Sequence, residues 1–148
     1  MKPISALFPL YVKKTKEKGW GVYCRKRIPK GRTFDVAPII YIPRKFLKRM
    51  NNTPIDSYRF EYRGDTTAIV LSYGSLYNHA DEEVANCEYR INKKSKTYSF
   101  YAVKDIPANT EITHNYNWDD SDYEFRKMPV KAKGRQKKKG SARNPKTA

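Results

Sequence analysis

The chain has 148 residues, with 31 Lys and Arg against 15 Asp and Glu, for a formal charge of +16. That length supports one domain with a real core and excludes two comfortable ones. Two cysteines and two histidines exclude a cysteine-built zinc site and give no basis for a metal, and no apolar run approaches the length that spans a bilayer.

The charge is uneven. From Met128 to Ala148 there are eight basic residues and no acids, while residues 1–127 hold the other 23 basic residues and all 15 acids, a net +8. A partner with a negative surface fits this excess, whether nucleic acid, a nucleosome-like complex or an acidic protein. Plain solubility fits it equally well.

The N-terminal "MKPISALFPLYV" is too short, and too broken by its two prolines, for a signal peptide. This reads as an intracellular, soluble protein without a membrane partner, and Cys24 and Cys87 read as small buried residues in a reducing compartment. In "EKGWGVYC", Gly19 and Gly21 flank Trp20 where a strand begins. Missing Cβ atoms there admit a ligand or another backbone, although a plain turn before a strand has the same signature. "RKRIPKG" follows. Its Ile-Pro-x-Gly pattern is echoed by Ile-Pro-x-Asn in "AVKDIPAN", and the pair predicts two similar strand-ending hairpins closed by left-handed residues.

"PRKFLKRM" predicts a short helix, with Pro43 in the first turn and Phe46, Leu47 and Met50 on one face. "AIVLSYGSLY" reads as a buried strand. "SLYNHADEEVANC" interrupts the apolar pattern with Asn78-His79 and, seven residues on, Asn86, while the acids Asp81, Glu82 and Glu83 read as solvated loop. "CEYRI" and "YSFYAV" read as strands of a hairpin turned by the polar "NKKSKT". "EITHNYNW" alternates, placing Ile112, His114, Tyr116 and Trp118 on one face. His114 reads as a packed or surface histidine, and no nucleophilic triad can be assembled. The tail after Met128 has too little apolar area to offset its ordering entropy and is expected to be disordered.

The order of these features resembles the SET-domain protein-lysine methyltransferases. GxG precedes a strand, then come an Ile-Pro-x-Gly turn and a Tyr-rich middle. Asn-His followed by Asn is next, then Phe-x-Ala-x-x-x-Ile, then Glu-Ile-Thr-x-x-Tyr. The resemblance runs from about Val12 to Trp118 and is closest to the minimal SET proteins of viruses and bacteria. It implies a mainly β fold of several short sheets with a pseudoknot-like C-terminal crossing. The domain would be residues 1–127, with its core at about 12–118 and a basic tail at 128–148.

It also implies S-adenosylmethionine as cofactor and a protein lysine as substrate, on a histone or another basic protein, in the host nucleus or cytoplasm. By resemblance, the backbone at Gly19, Trp20 and Gly21 receives the cofactor's amino-acid end, and Asn78 with His79 receives the adenine end. Asn78 also pins the crossing. Tyr116 matches the catalytic tyrosine, and Tyr58 and Tyr77 match aromatics that line the lysine channel. Tyr58 and Tyr116 also border the cofactor. Two departures stand out. Asn109-Thr110-Glu111 replaces Gly-Glu-Glu, and no cysteine-rich segment follows the core. Tyr123 and Phe125, or a second subunit in a homodimer, are then left to close the channel. The alternatives are a non-catalytic SET-fold protein that binds nucleic acid or chromatin, with the basic tail as the contact, and a small ribosomal-type basic protein. The latter leaves the ordered motifs unexplained.

Overall fold

The structure, a computed structural model, describes residues 7–63 and 66–116. The expectations for Trp118, Tyr123, Phe125 and the basic tail lie outside the described residues.

Strands β1 (Leu10–Lys14) and β2 (Trp20–Cys24) pair antiparallel, with Leu10 opposite Cys24 and Lys14 opposite Trp20. The turn between them needs Gly19, whose φ is +72°. The other strands are β3 (Thr33–Ile42), β4 (Arg59–Arg63), β5 (Thr66–Val70), β6 (Asn78–His79), β7 (Cys87–Asn92), β8 (Thr97–Ala102) and β9 (Thr113–His114). They form a seven-stranded sheet in the order β4-β5-β3-β8-β7-β9-β6.

The sequence pattern did not predict β1, β3 or β4. In β3 the pattern is broken by a buried Asp35 and by Pro38. Pro38 marks a change of partner: β8 pairs with Thr33–Pro38 and β5 with Ile39–Ile42. A proline has no N–H for a ladder, so it sits where one pairing gives way to the next. Its carbonyl is still used, accepting from the Leu71 N–H at 3.0 Å.

The predicted hairpin forms as β7 and β8, with Cys87 opposite Ala102 and Asn92 opposite Thr97. The run "AIVLSYGSLY" is not one strand. β5 ends at Val70, and Tyr73–Leu76 form a 3-10 turn whose Gly74 N–H is capped by Ser72 Oγ at 3.0 Å. "PRKFLKRM" becomes a 3-10 turn (Arg44–Phe46) running into the four-residue helix α1 (Leu47–Met50). Leu47 and Met50 are half-buried, whereas Phe46 is exposed.

The two Ile-Pro turns do not make separate hairpins. They pair with each other: Ile28 and Ile106 exchange N–H···O bonds, both at 2.9 Å. Gly31 and Asn109 occupy the left-handed region at φ +82° and +60°, as the turn chemistry requires. Asn109 thus does the job of a glycine before the final strand. Asp105 of the second turn accepts from the Arg27 side chain and the Lys30 N–H of the first.

Val22, Ile28, Phe34, Tyr98, Phe100, Ile106 and Ile112 are fully buried in one core cluster. Cys24 and Cys87 are free thiols in this core. The 3-10 turn packs tightly against it. A Cβ on Gly74 would come within 2.4 Å of the Phe100 ring, which is itself locked in the core, whereas one on Gly31 meets nothing within 4 Å. Gly74→Ala should therefore lower stability by about 2 kcal/mol through overpacking. Gly31→Ala should lose only about 1 kcal/mol, from backbone strain. Denaturant melts of the two variants check the order.

Candidate active site

The site is built where the C-terminal segment threads into the fold. After the second Ile-Pro turn the chain runs along β2: the Asn109 N–H donates to the Cys24 carbonyl at 2.7 Å, and the Ile112 N–H to the Val22 carbonyl at 2.7 Å. It then enters the large sheet as β9, parallel to β6 on one side and to Cys87 of β7 on the other. β6 and β7 are joined by residues 80–86, so this loop must cross over β9. Such threading is a rare departure from unknotted connections, and it is the crossing expected from the sequence. Ile112, Thr113 and His114 are all buried here. The predicted one-face alternation therefore gives way to a segment enclosed on all sides.

Two asparagines hold the crossing. Asn86 Nδ2 donates to the Glu111 carbonyl at 2.8 Å, and its Oδ1 accepts from the Thr113 N–H at 3.0 Å. Asn78 is fully buried. Its Nδ2 donates to the Trp20 carbonyl at 3.1 Å and to Glu111 Oε1 at 2.7 Å. The carboxylate lies against Gly21, where a Cβ would be only 2.5 Å from Glu111 Oε1. The second glycine of GxG thus makes room for Glu111. Sequence reasoning assigned no role to Asn86 or Glu111; the available signals were the spacing of Asn86 after Asn-His and the place of Glu111 at the head of Glu-Ile-Thr-x-x-Tyr.

His79 and Tyr116 meet beside this clamp. The Tyr116 N–H donates to His79 Nδ1 at 3.2 Å, and the rings lie 5.2 Å apart. The Tyr116 hydroxyl donates to the Tyr77 carbonyl at 2.6 Å. His79 Nε2 is 3.6 Å from Asp81, and the His79 carbonyl accepts from Lys18 Nζ at 2.9 Å. No sequence signal marked Lys18. His114 is packed, stacking on Phe60 at 5.7 Å and lying 4.5 Å from the Tyr116 ring. Tyr58 ends a 3-10 turn (Pro54–Tyr58) two residues before Phe60 and is half-buried. Trp20 is half-exposed, with Lys14 Nζ 5.3 Å from its ring.

Tyr77 is fully buried, and its phenol donates to Asp35 Oδ2 at 2.9 Å, where Ser72 Oγ also donates at 2.7 Å. What Tyr77 presents to Tyr116 is its carbonyl, not its phenol. Burial first, then the nearby Asp35 carboxylate, holds the Tyr77 phenol well above the ordinary tyrosine value of 10.0. The folded protein keeps this proton where the unfolded chain releases it. Tyr77 therefore leaves stability intact below pH about 10 and erodes it as pH rises above that value. Alkaline melts should show this loss, and Tyr77→Phe should flatten it.

The clamp also has one polar atom left over. Asn78 Oδ1 is buried and has no hydrogen-bond partner, although buried polar atoms are normally paired. It belongs to the residue that also holds the Trp20 carbonyl of the GxG turn. An unmet acceptor on the residue that holds the GxG turn fits a ligand carrying its own N–H donors.

The SET-domain family profile matches residues 19–117. The chain belongs to the SET-domain family. It is 22% identical over 109 residues to a Schizosaccharomyces pombe histone-lysine N-methyltransferase specific for H3 lysine-37, with 73% of each chain covered. Among solved structures, a Plasmodium falciparum protein provisionally described as a histone methyltransferase superposes with a TM-score of 0.56 at 25% identity, covering 76% of this chain and 96% of that one. Arabidopsis thaliana SUVH6 in complex with SAM superposes with a TM-score of 0.65 at 21% identity, covering 80% of this chain and 30% of that one. The last similarity is one of fold alone.

Proposed function

We propose that this chain is a protein-lysine methyltransferase that uses S-adenosylmethionine. The observation that carries the reading is the placement of Tyr116. Its hydroxyl is fixed on the Tyr77 carbonyl and its N–H on His79, next to the residue whose buried Oδ1 lacks a partner. Relatives that are histone-lysine methyltransferases support the same class.

When bound, the cofactor supplies a methyl group already made electrophilic by its sulfonium. The residues at hand then bind and align. The backbone of Gly19, Trp20 and Gly21 and the Asn78 and His79 side chains would hold the cofactor. Tyr58 and Tyr116 border it. The Tyr116 oxygen orients the reacting groups through weak polar contacts. A lysine ammonium has no lone pair, so the channel must favour the neutral amine, which desolvation does. The Tyr77 carbonyl keeps the Tyr116 hydroxyl from turning away. The substrate in this reading is a lysine of a histone or another basic protein. The tail at 128–148 contributes affinity for a nucleic acid or nucleosome carrying that protein.

Calorimetry on metal-free protein should show cofactor binding. Mass spectrometry with labelled cofactor on histones and on total lysate should then reveal the methylated lysine. Absence of heat and of any thermal shift at about millimolar cofactor, a weak limit of about 4 kcal/mol, overturns the reading.

A further inference from the structure

We propose that the outer face of the β1–β2 hairpin is a docking surface for the phosphate backbone of duplex DNA. The proposal is independent of methyl transfer. Residues 13–32 carry nine Lys and Arg against one acid, Glu17. Eight of the nine are exposed, and the ninth, Lys18, reaches the His79 carbonyl. Among the described residues, only Arg27 of this group is in an ion pair with an acid, Asp105.

The hairpin sorts its side chains by face. Val22 and Cys24 point into the core. Tyr11 and Tyr23, directly opposite each other, stack at 5.6 Å with planes 26° apart. The Arg25 guanidinium lies 4.6 Å from the Tyr11 ring, and Lys13 Nζ lies 5.8 Å from the Tyr23 ring. Tyr11 is anchored in turn, its hydroxyl donating to Asn109 Oδ1 at 3.2 Å. The cations are thus braced on aromatic rings, which lowers the ordering entropy that binding must overcome.

Three features select the occupant. A protein partner would need apolar anchors in the centre of the patch, and this face offers cations over the Tyr11–Tyr23 pair, whereas the half-exposed Trp20 lies opposite Lys14 on the Val22 side of the hairpin. Single-stranded nucleic acid would need open ring faces for its bases, whereas Tyr11 and Tyr23 already stack on each other and carry cations. A phosphate backbone needs only cations. Five paired residues span about 17 Å, a length over which duplex DNA presents about ten phosphate charges on its two strands.

The test uses the full chain and a fluorescent random-sequence duplex of about 20 base pairs, titrated between about 50 and 200 mM salt. Lys13→Gln, Arg25→Gln and Lys26→Gln are combined in one variant. The comparison variant combines Lys45→Gln, Lys48→Gln and Arg49→Gln, which remove the same charge at and beside α1. The hairpin variant should lose at least about tenfold in affinity, and its log–log salt slope should shrink by about two to three. The comparison variant should lose less than about threefold, and both should melt like the parent. Equal weakening by the two triples reduces the effect to net charge and overturns the proposal. Better binding of a single strand, or equal competition by polyglutamate, overturns it as well.

Discussion

Tyr116→Phe is expected to lower turnover by roughly 100-fold while leaving cofactor affinity close to that of the parent. Phenylalanine keeps the ring contacts with His79 and His114 and the backbone bond to His79 Nδ1. It removes one oriented oxygen and leaves the Tyr77 carbonyl without its donor. A fall in kcat with little change in binding is the signature of a contact used mainly in the transition state. Tyr77→Phe is the informative partner variant. As a channel aromatic, Tyr77 would limit how many methyl groups fit, and its loss would raise the product methylation state. With the phenol buried on Asp35, the expected outcome is instead a stability loss of about 1–3 kcal/mol and an unchanged methylation state. Turnover, cofactor affinity and product mass for both variants decide the matter. Near-normal turnover of Tyr116→Phe on a good substrate removes Tyr116 from the mechanism.

Asn78→Ala is expected to produce the second large effect, on stability and cofactor affinity together. The substitution removes the donor shared by the Trp20 carbonyl and Glu111, and a carboxylate deprived of a buried donor is costly. The expected loss is about 3 kcal/mol, with cofactor affinity down by at least about tenfold. Gly21→Ala offers an independent route to the same clamp. Its new Cβ must displace Glu111 Oε1 and so break the bond to Asn78 while leaving Asn78 in place. If Asn78→Ala binds cofactor like the parent and melts at the parent's denaturant midpoint, the clamp is not what organises the site.

The residues that resemble a family were legible because their chemistry is local. Gly31 and Asn109 were readable as left-handed turn residues, and both have positive φ. The β7–β8 hairpin was readable from two strand-like runs around a polar turn. The long strand β3 was not, because Asp35 and Pro38 erase its alternation. Asp35 is tolerated in the core only through Ser72 and Tyr77, 37 and 42 residues away. The same distance problem hid Glu111. Its partner Asn78 is 33 residues away, and the space it fills is set by Gly21. The strand reading of "AIVLSYGSLY" failed for a different reason. Gly74 and the Ser72 cap favour a 3-10 turn within an apolar run, and hydrophobicity alone does not separate the two.

The crossing of residues 80–86 over β9 sets an order of events in time. Neither Tyr116 nor the Asn78 Nδ2 has its full set of partners until the last strand is seated between β6 and β7. During synthesis the N-terminal portion emerges first, so β1 to β8 can assemble while β9 is still unmade. Contacts this distant in sequence form slowly. The newborn chain therefore passes through a stage with most of its sheet in place and no competence for chemistry, in which the slot awaiting β9 is an open edge that another copy's C-terminal segment could fill.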